Sequence, residues 1–393
     1  MPPHSPAAAD WDAWRAEMPV AESWAYFDHA AVAPLSAPAQ AQMRAWIDDS
    51  AEVGDVHWLR WSQEVEQTRR SAAALLNAES AELALVPNTT AGIQLVAEGY
   101  PWQVGDNVVL PADEFPSNQY PWLNLRDRGV EVRRIEPLDG YVSPDRILAA
   151  VDARTRIVAL SWVNFAHGYR YDLDMLAAEV HRRGAWIFVD AIQGLGVFPL
   201  DVRTTPIDAL AADGHKWLLG PEGAGVFYLR AEHLDRLRPL GVGWNSVRHG
   251  ADFSRIEPVW KASAARYEGG TCNTPGMLGL GASIDLLAQY GTVAISERVL
   301  SLAAEARERL KSLGAEIVVP GGAADLPRHG SGIVSFTLPG EESAAVRERC
   351  LDHGVVLSCR AGRLRLSPHG YNTTADFERL EAALRSSQSG RSS

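Results

Sequence analysis

Residues 186–230 read WIFVDAIQGLGVFPLDVRTTPIDALAADGHKWLLGPEGAGVFYLR, and three short runs in and beside this stretch decide the fold class. The first, Ala185 to Val189, is apolar throughout, as a strand buried on both faces is. It delivers Asp190 at its C-terminal end, where open α/β sheets carry their chemistry, and Gln193 follows three residues later. A second run, Asp208 to Ala212, leads into Asp213-Gly214-His215-Lys216, and a third, Ala224 to Leu229, follows a Gly-rich turn.

A lysine at the mouth of a sheet, beside an aspartate carried by a neighbouring strand, is a chemical pairing. Lysine forms a Schiff base with pyridoxal phosphate (PLP), and the aspartate keeps the pyridine nitrogen protonated, so that the ring accepts electrons from a substrate carbanion. Taken singly, Asp190 reads as a helix cap and Lys216 as a solvated surface lysine. Together, at strand ends in an apolar, Gly-rich setting, they point to the cofactor.

The whole chain sets wider bounds. With 393 residues, 46% of them hydrophobic, it can bury a large core and form two domains, expected at 20–285 and 286–386, with segment 1–19 packing near the second. A net charge of −12 argues against nucleic acid or an anionic membrane as partner. No apolar run reaches the ~18 residues of a membrane span, and MPPHSPAAAD has neither the basic start nor the apolar stretch of a signal peptide. Cys272, Cys350 and Cys359 show no paired spacing, which predicts a reducing cytoplasmic setting with no disulfide framework and no metal site. Met1 to Ala9 and Ser386 to Ser393 read as loose ends.

Working outward, Ser36 with Pro38 starts a helix. Leu83 to Val86 is a short strand that runs through Pro87 and Asn88 into Thr89, Thr90 and a helix. Its first turn presents unpaired N–H groups suited to a phosphate, although strand–turn–helix units of this kind are common. Asn107 to Leu110 and Arg156 to Ser161 are further strands. Each is followed by polar and aromatic residues, Asp113 to Asn118 and Trp162 to Gly168. A helix from Asp172 to Arg183 returns the chain to the central stretch. This alternation predicts a doubly wound, mostly parallel sheet. After a helix from Val293 to Leu313, strands at Glu316–Val319, Gly332–Leu338 and Val355–Ser358 and a helix at Glu341–His353 form a smaller α+β unit. In the RLRLS that follows, Arg363 and Arg365 share a face. Neither GxGxxG nor GxxxxGK[ST] occurs where a dinucleotide or nucleoside triphosphate fold needs it.

VDAIQ and DGHKWLLGPEGAGVFYLR, with pieces extending from Tyr26 to the final helix, resemble the aminotransferase class V group of PLP enzymes. That group includes cysteine desulfurases, kynureninases and isopenicillin N epimerase. The resemblance implies PLP fold type I, a small-molecule amino-acid substrate, and a homodimer with shared sites. It also implies roles for residues. Lys216 is the Schiff-base lysine, Asp190 the partner of the ring nitrogen, and Gln193 that of the ring hydroxyl. Phe115 stacks on the ring. His215, Thr89, Thr90, Ser117 and the Thr271 of a neighbouring subunit share the phosphate. Asn164 faces ring and substrate, Arg365 clamps the substrate α-carboxylate, and His29, in the entry segment Tyr26 to Ala31, passes close to the substrate. His167 reads as a hydrogen-bonded structural residue and Cys272 as an inert thiol.

Desulfurases also carry a nucleophilic cysteine on a flexible loop before the arginine clamp. Here Arg360-Ala361-Gly362 runs straight into Arg363-Leu364-Arg365, and Cys359, in an apolar strand, is expected to be buried. The sequence therefore favours lyase chemistry by β-elimination of the C–S type, with epimerisation and transamination as alternatives and an inactive scaffold as the non-enzymatic one.

Overall fold

The computed structural model describes residues 9–386, so nearly all of both expected loose ends lies outside the described residues. Near the start of the described chain, Ala25–Tyr26 forms a short strand, β1. Seven strands then build the central sheet: β2 (Leu83–Val86), β3 (Asn107–Pro111), β4 (Glu131–Ile135), β5 (Thr155–Ser161), β6 (Trp186–Asp190), β7 (Ala209–Asp213) and β8 (Gly225–Leu229). Their order is β2-β8-β7-β6-β5-β3-β4, parallel except that β8 runs antiparallel to both neighbours.

Every residue of β3, β6, β7 and β8 is buried, which explains their continuous apolar runs. The charged EVRRI of β4 marks the exposed edge, where charge discourages pairing with another sheet. The helix Thr89–Gly99 seats on β7 through Gly92, where an added Cβ would meet Ala211 Cβ at 2.5 Å. Asp172 caps the helix Leu173–Arg182 by accepting from Met175 N at 3.1 Å, as its sequence predicted. Ser36, likewise, caps Ala37–Val53.

The chain steps outward from β3 to β4 and then returns to the other side of β3 as β5. The loops after β3 and β5 therefore diverge at their C-terminal ends, the place where open sheets form a crevice.

The smaller sheet has the order β12-β13-β10-β9, from β9 (Glu316–Ile317), β10 (Val334–Thr337), β12 (Ser358–Arg360) and β13 (Arg363–Leu366). β11 (Val355–Val356) pairs instead with β1, and Ala25 and Phe27 enter the same apolar core as Phe336, Leu364 and Phe377. Arg15 bonds Asp376 at 2.8 Å, which ties the N-terminal helix to the last one. The expected division at 285/286 falls inside the helix Thr274–Tyr290. We propose Gly291 as the joint, since its φ of +78° breaks that helix from Thr292–Ser312. No single helix among the described residues is long and apolar enough to cross a membrane.

Candidate active site

A cavity of about 280 Å³ opens at the crevice, and the C-terminal strand ends supply its floor. Asp190 ends β6 and Ser161 ends β5, paired directly across the ladder. Asp213 ends β7, and the turn that follows carries His215 and Lys216. Phe115 and Ser117 come from the loop after β3, Thr89 and Thr90 from the first turn of the helix Thr89–Gly99, and Arg360 and Arg365 from the small sheet.

Lys216 is 8% exposed and its side chain makes no ion pair or hydrogen bond among the described residues; its Nζ lies 5.5 Å from the Phe115 ring centre. Burial lowers its ammonium to about 8, against the opposing pull of Asp190. Asp190 is 2% exposed, and its one side-chain bond is from Ile192 N at 3.1 Å. Burial raises its carboxyl to about 6, although that bond and the Lys216 charge hold it down. Gln193 is locked by donating to Ala30 O at 3.0 Å and accepting from Trp217 Nε1 at 2.7 Å.

At the other end, Asn88 caps the helix by accepting from Ala91 N, leaving the first-turn N–H groups outside the helical ladder. Thr90 Oγ1 donates to Ser117 Oγ at 2.8 Å, and Thr89 Oγ1 accepts from Asp213 N at 2.9 Å. His215 Nδ1 lies 3.1 Å from Asp213 Oδ2, yet His215 Nδ1 and Asp213 Oδ1 are both buried without a hydrogen bond.

Arg365 is 1% exposed, and three of its five N–H groups are bonded. Its Nε donates to Ser358 Oγ at 3.1 Å, Nη1 to Phe165 O at 2.7 Å and Nη2 to Asp28 Oδ1 at 3.3 Å. Burial lowers its guanidinium to about 10 despite the Asp28 charge.

Two expectations need correction. His29 is fully buried behind the cavity wall and does not line it. Its Nδ1 lies 2.8 Å from Ser367 O and its Nε2 2.7 Å from Tyr371 Oη, so both ring nitrogens are occupied within the core. Asn164 is not among the residues that line the cavity either. Its Nδ2 donates to Asp113 O while Oδ1 accepts from Ala166 N and His167 N, so the side chain holds the loop after β5 in shape. His167 is bonded structurally, to Asp113 Oδ2 at 3.1 Å and from Tyr169 N at 3.2 Å. Thr271 is exposed and lines a separate cavity of about 320 Å³ with Trp58, Trp61 and Trp244.

None of the three cysteines lines the central cavity. Cys350 is buried in the small unit, where burial pushes its thiol up to about 11. Cys272 is half-buried, its thiol also raised by burial. Cys359 is half-buried rather than enclosed, because the strand that carries it is an edge of the small sheet.

Residues missed in the sequence include Asp28, Ser161 and Arg360. Asp28 lay inside the entry segment, and a buried Arg365 demands a counterion, which was the available signal. Ser161 is fixed by Glu114, which accepts from Ser161 N at 2.7 Å and from Asn118 Nδ2 at 3.0 Å, and also pairs with Ser161 Oγ. Burial raises the Glu114 carboxyl to about 8, opposed by those bonds.

The donor set fits PLP. A buried carboxylate without a cationic partner suits a protonated ring nitrogen, and a buried amine without an acceptor suits a covalent carbonyl carbon. Helix N–H groups outside the ladder, beside the Thr90 and Ser117 hydroxyls, suit a phosphate at the far end.

A family model for aminotransferase class V matches residues 25–380. The probable cysteine desulfurase of Methanothermobacter thermautotrophicus is 31% identical over 393 aligned residues, which cover 94% of this chain and 96% of the relative. The apo structure of the cysteine desulfurase from Thermococcus onnurineus NA1 superposes with a TM-score of 0.85 at 25% identity, covering 96% of this chain and 97% of that one. The cystine C-S lyase C-DES, in complex with its reaction product cysteine persulfide, superposes with a TM-score of 0.87 at 23% identity over 94% of this chain and 99% of that one, a likeness of fold. With a buried lysine and aspartate set at strand ends as the sheet chemistry requires, the chain belongs to the aminotransferase class V family of PLP-dependent enzymes.

Proposed function

We propose that the protein is a C–S lyase that catalyses β-elimination from an amino acid carrying sulfur on Cβ. The observation that carries this reading is the hairpin Arg360-Ala361-Gly362-Arg363. Ala361 and Gly362 have φ of +49° and +74°, a two-residue turn of the type that joins adjacent strands directly. Such a turn leaves no loop on which a sulfur-accepting cysteine could reach the cavity, and no cysteine lines it.

Bound PLP supplies an electron sink for charge developing at the substrate Cα. In the proposed mechanism Asp190 would hold a proton on the ring nitrogen, Gln193 would offer its remaining N–H to the ring hydroxyl, and Phe115 would pack on the ring. Thr89, Thr90, Ser117 and His215 hold the phosphate. Arg365 would hold the α-carboxylate and so present the Cα proton to Lys216. Lys216 Nζ takes the Cα proton. The electron pair left at Cα then forms a Cα=Cβ bond as the Cβ–S bond breaks, and the Cβ–S pair leaves on sulfur.

The exposure of Trp58 in the Thr271 cavity, and of Phe253 and Ile256 in an adjoining one that shares Trp244 and Val247 with it, supports a homodimer in which Thr271 serves the partner's phosphate, since a two-fold contact uses one patch twice. A cytoplasmic setting accords with three free cysteines.

The test is a panel of sulfur amino acids given to the holoenzyme. Elimination releases pyruvate, ammonia and the sulfur leaving group. Solvent deuterium at Cα of recovered substrate without pyruvate would instead indicate epimerisation, and keto acid retaining its side chain would indicate transamination. The relatives' names favour a second reading, cysteine desulfuration, whose signature is a persulfide on the protein after turnover with cysteine.

A further inference from the structure

Among the described residues, one guanidinium that lines the cavity makes no ion pair. Arg360 ends β12, is half-buried and lines the same cavity as Lys216 and Arg365. Among the described residues it makes no ion pair, and its one hydrogen bond runs from Nη1 to the carbonyl of its own neighbour, Cys359, at 2.9 Å. Arg365, by contrast, has three partners and the charge of Asp28.

The hairpin fixes how the two arginines stand. Ser358 lies opposite Arg365 and Arg360 opposite Arg363 in the β12–β13 register. Side chains alternate along a strand, so Ser358, Arg360, Arg363 and Arg365 share one face of the small sheet while Cys359 and Leu364 take the other. Arg360 and Arg365 are diagonal neighbours on that face, roughly 7–8 Å apart at their origins. The phosphate-suited groups lie at the opposite wall, on the large sheet and the helix Thr89–Gly99. The Arg360 charge reaches the chemistry: it adds to burial in lowering the Lys216 ammonium, and it opposes the rise that burial gives the Asp28 carboxyl.

A half-buried guanidinium that lines a cavity and makes no ion pair among the described residues is a recognition element for an anion. We propose that Arg360 receives a second anionic group at the end of the substrate side chain, so that the preferred substrates are amino acids whose side chains end in a carboxylate or comparable anion. This rests on the amino-acid reading of the cavity given above. Arg365 then takes the α-carboxylate and Arg360 the distal group, a two-point clamp that leaves Cα and Cβ over Lys216.

The test is titration of the holoenzyme with acid and amide isosteres, following the visible absorption of the bound cofactor and, in parallel, heat by calorimetry. The pairs are L-aspartate with L-asparagine, and S-carboxymethyl-L-cysteine with S-carbamoylmethyl-L-cysteine. The wild type should bind the acid of at least one pair about tenfold or more tightly than its amide. Arg360→Gln should bring the two members of that pair together, with the amide as internal control for a folded site, and Arg360→Lys should keep part of the preference. Equal affinities in the wild type, or a preference that survives Arg360→Gln, would overturn the proposal. If no amino acid in the panel perturbs absorption or releases heat, the amino-acid reading itself fails and the proposal falls with it. Binding without discrimination defeats the Arg360 proposal alone.

Discussion

Replacing Asp28 with Asn would strand a buried cation. Arg365 is 1% exposed and Asp28 9% exposed, with Nη2 to Oδ1 at 3.3 Å. At an effective dielectric constant near 20, two unit charges at that distance attract by about 5 kcal/mol. The amide still accepts hydrogen bonds, and Arg365 keeps Ser358 and Phe165 as partners. The loss should therefore fall near the lower end of the 3–5 kcal/mol typical of a broken buried pair, about 3 kcal/mol. Arg365→Met should cost a similar amount by leaving the Asp28 carboxylate unpaired. The double variant should cost less than the sum of the two by about 2 kcal/mol, since neither charge then remains. Urea unfolding of the four proteins at one pH, followed by far-ultraviolet circular dichroism, gives the cycle. A cost below about 1 kcal/mol for Asp28→Asn, or strict additivity, would refute the claim that this pair holds the clamp.

Lys216→Ala should abolish turnover and the visible absorption of lysine-bound cofactor while leaving circular dichroism unchanged; borohydride reduction of the wild type should attach the cofactor at Lys216, and attachment at Lys261 or Lys311 would end the present reading. Only a neutral amine attacks an aldehyde, and burial brings Lys216 down from 10.5 to about 8, so capture of PLP by the apoprotein should rise with pH and level off above about 8; a rate still climbing by roughly tenfold per unit well above that pH would contradict the depression. Cys359→Ala and Cys350→Ala should each retain most activity, and Cys272→Ala should lose at most a modest factor through packing; loss of activity in any of them with a normal cofactor spectrum would restore persulfide chemistry. Gly92→Ala should destabilise by about 1–3 kcal/mol, because its Cβ would press on Ala211 where the phosphate-side helix meets β7, and an unchanged unfolding midpoint would count against that packing.

Local pattern carried the fold class and much of the site. Continuous apolar runs mark strands buried on both faces, so β6 and β7 were legible to within a residue, and with them the strand-end positions of Asp190 and Asp213. Lys216 follows Asp213 at a fixed chain distance, and the helix start at Thr89 is written in its cap, so these positions needed no tertiary information. Which way a loop side chain turns is a different matter, because competing partners far along the chain decide it. Asn164 had no visible reason to prefer Asp113 O over the cavity, and His29 is drawn inward by Ser367 and Tyr371, more than 300 residues away. The same long-range pairing gave Arg365 its counterion in Asp28, and set Arg360 beside it through the register of β12 and β13. Sequence alone determined which residues end strands and begin helices, since those are set by contacts a few residues long. Only the tertiary structure decided which charges face one another across the cavity, since that depends on how two sheets distant in the chain are brought together.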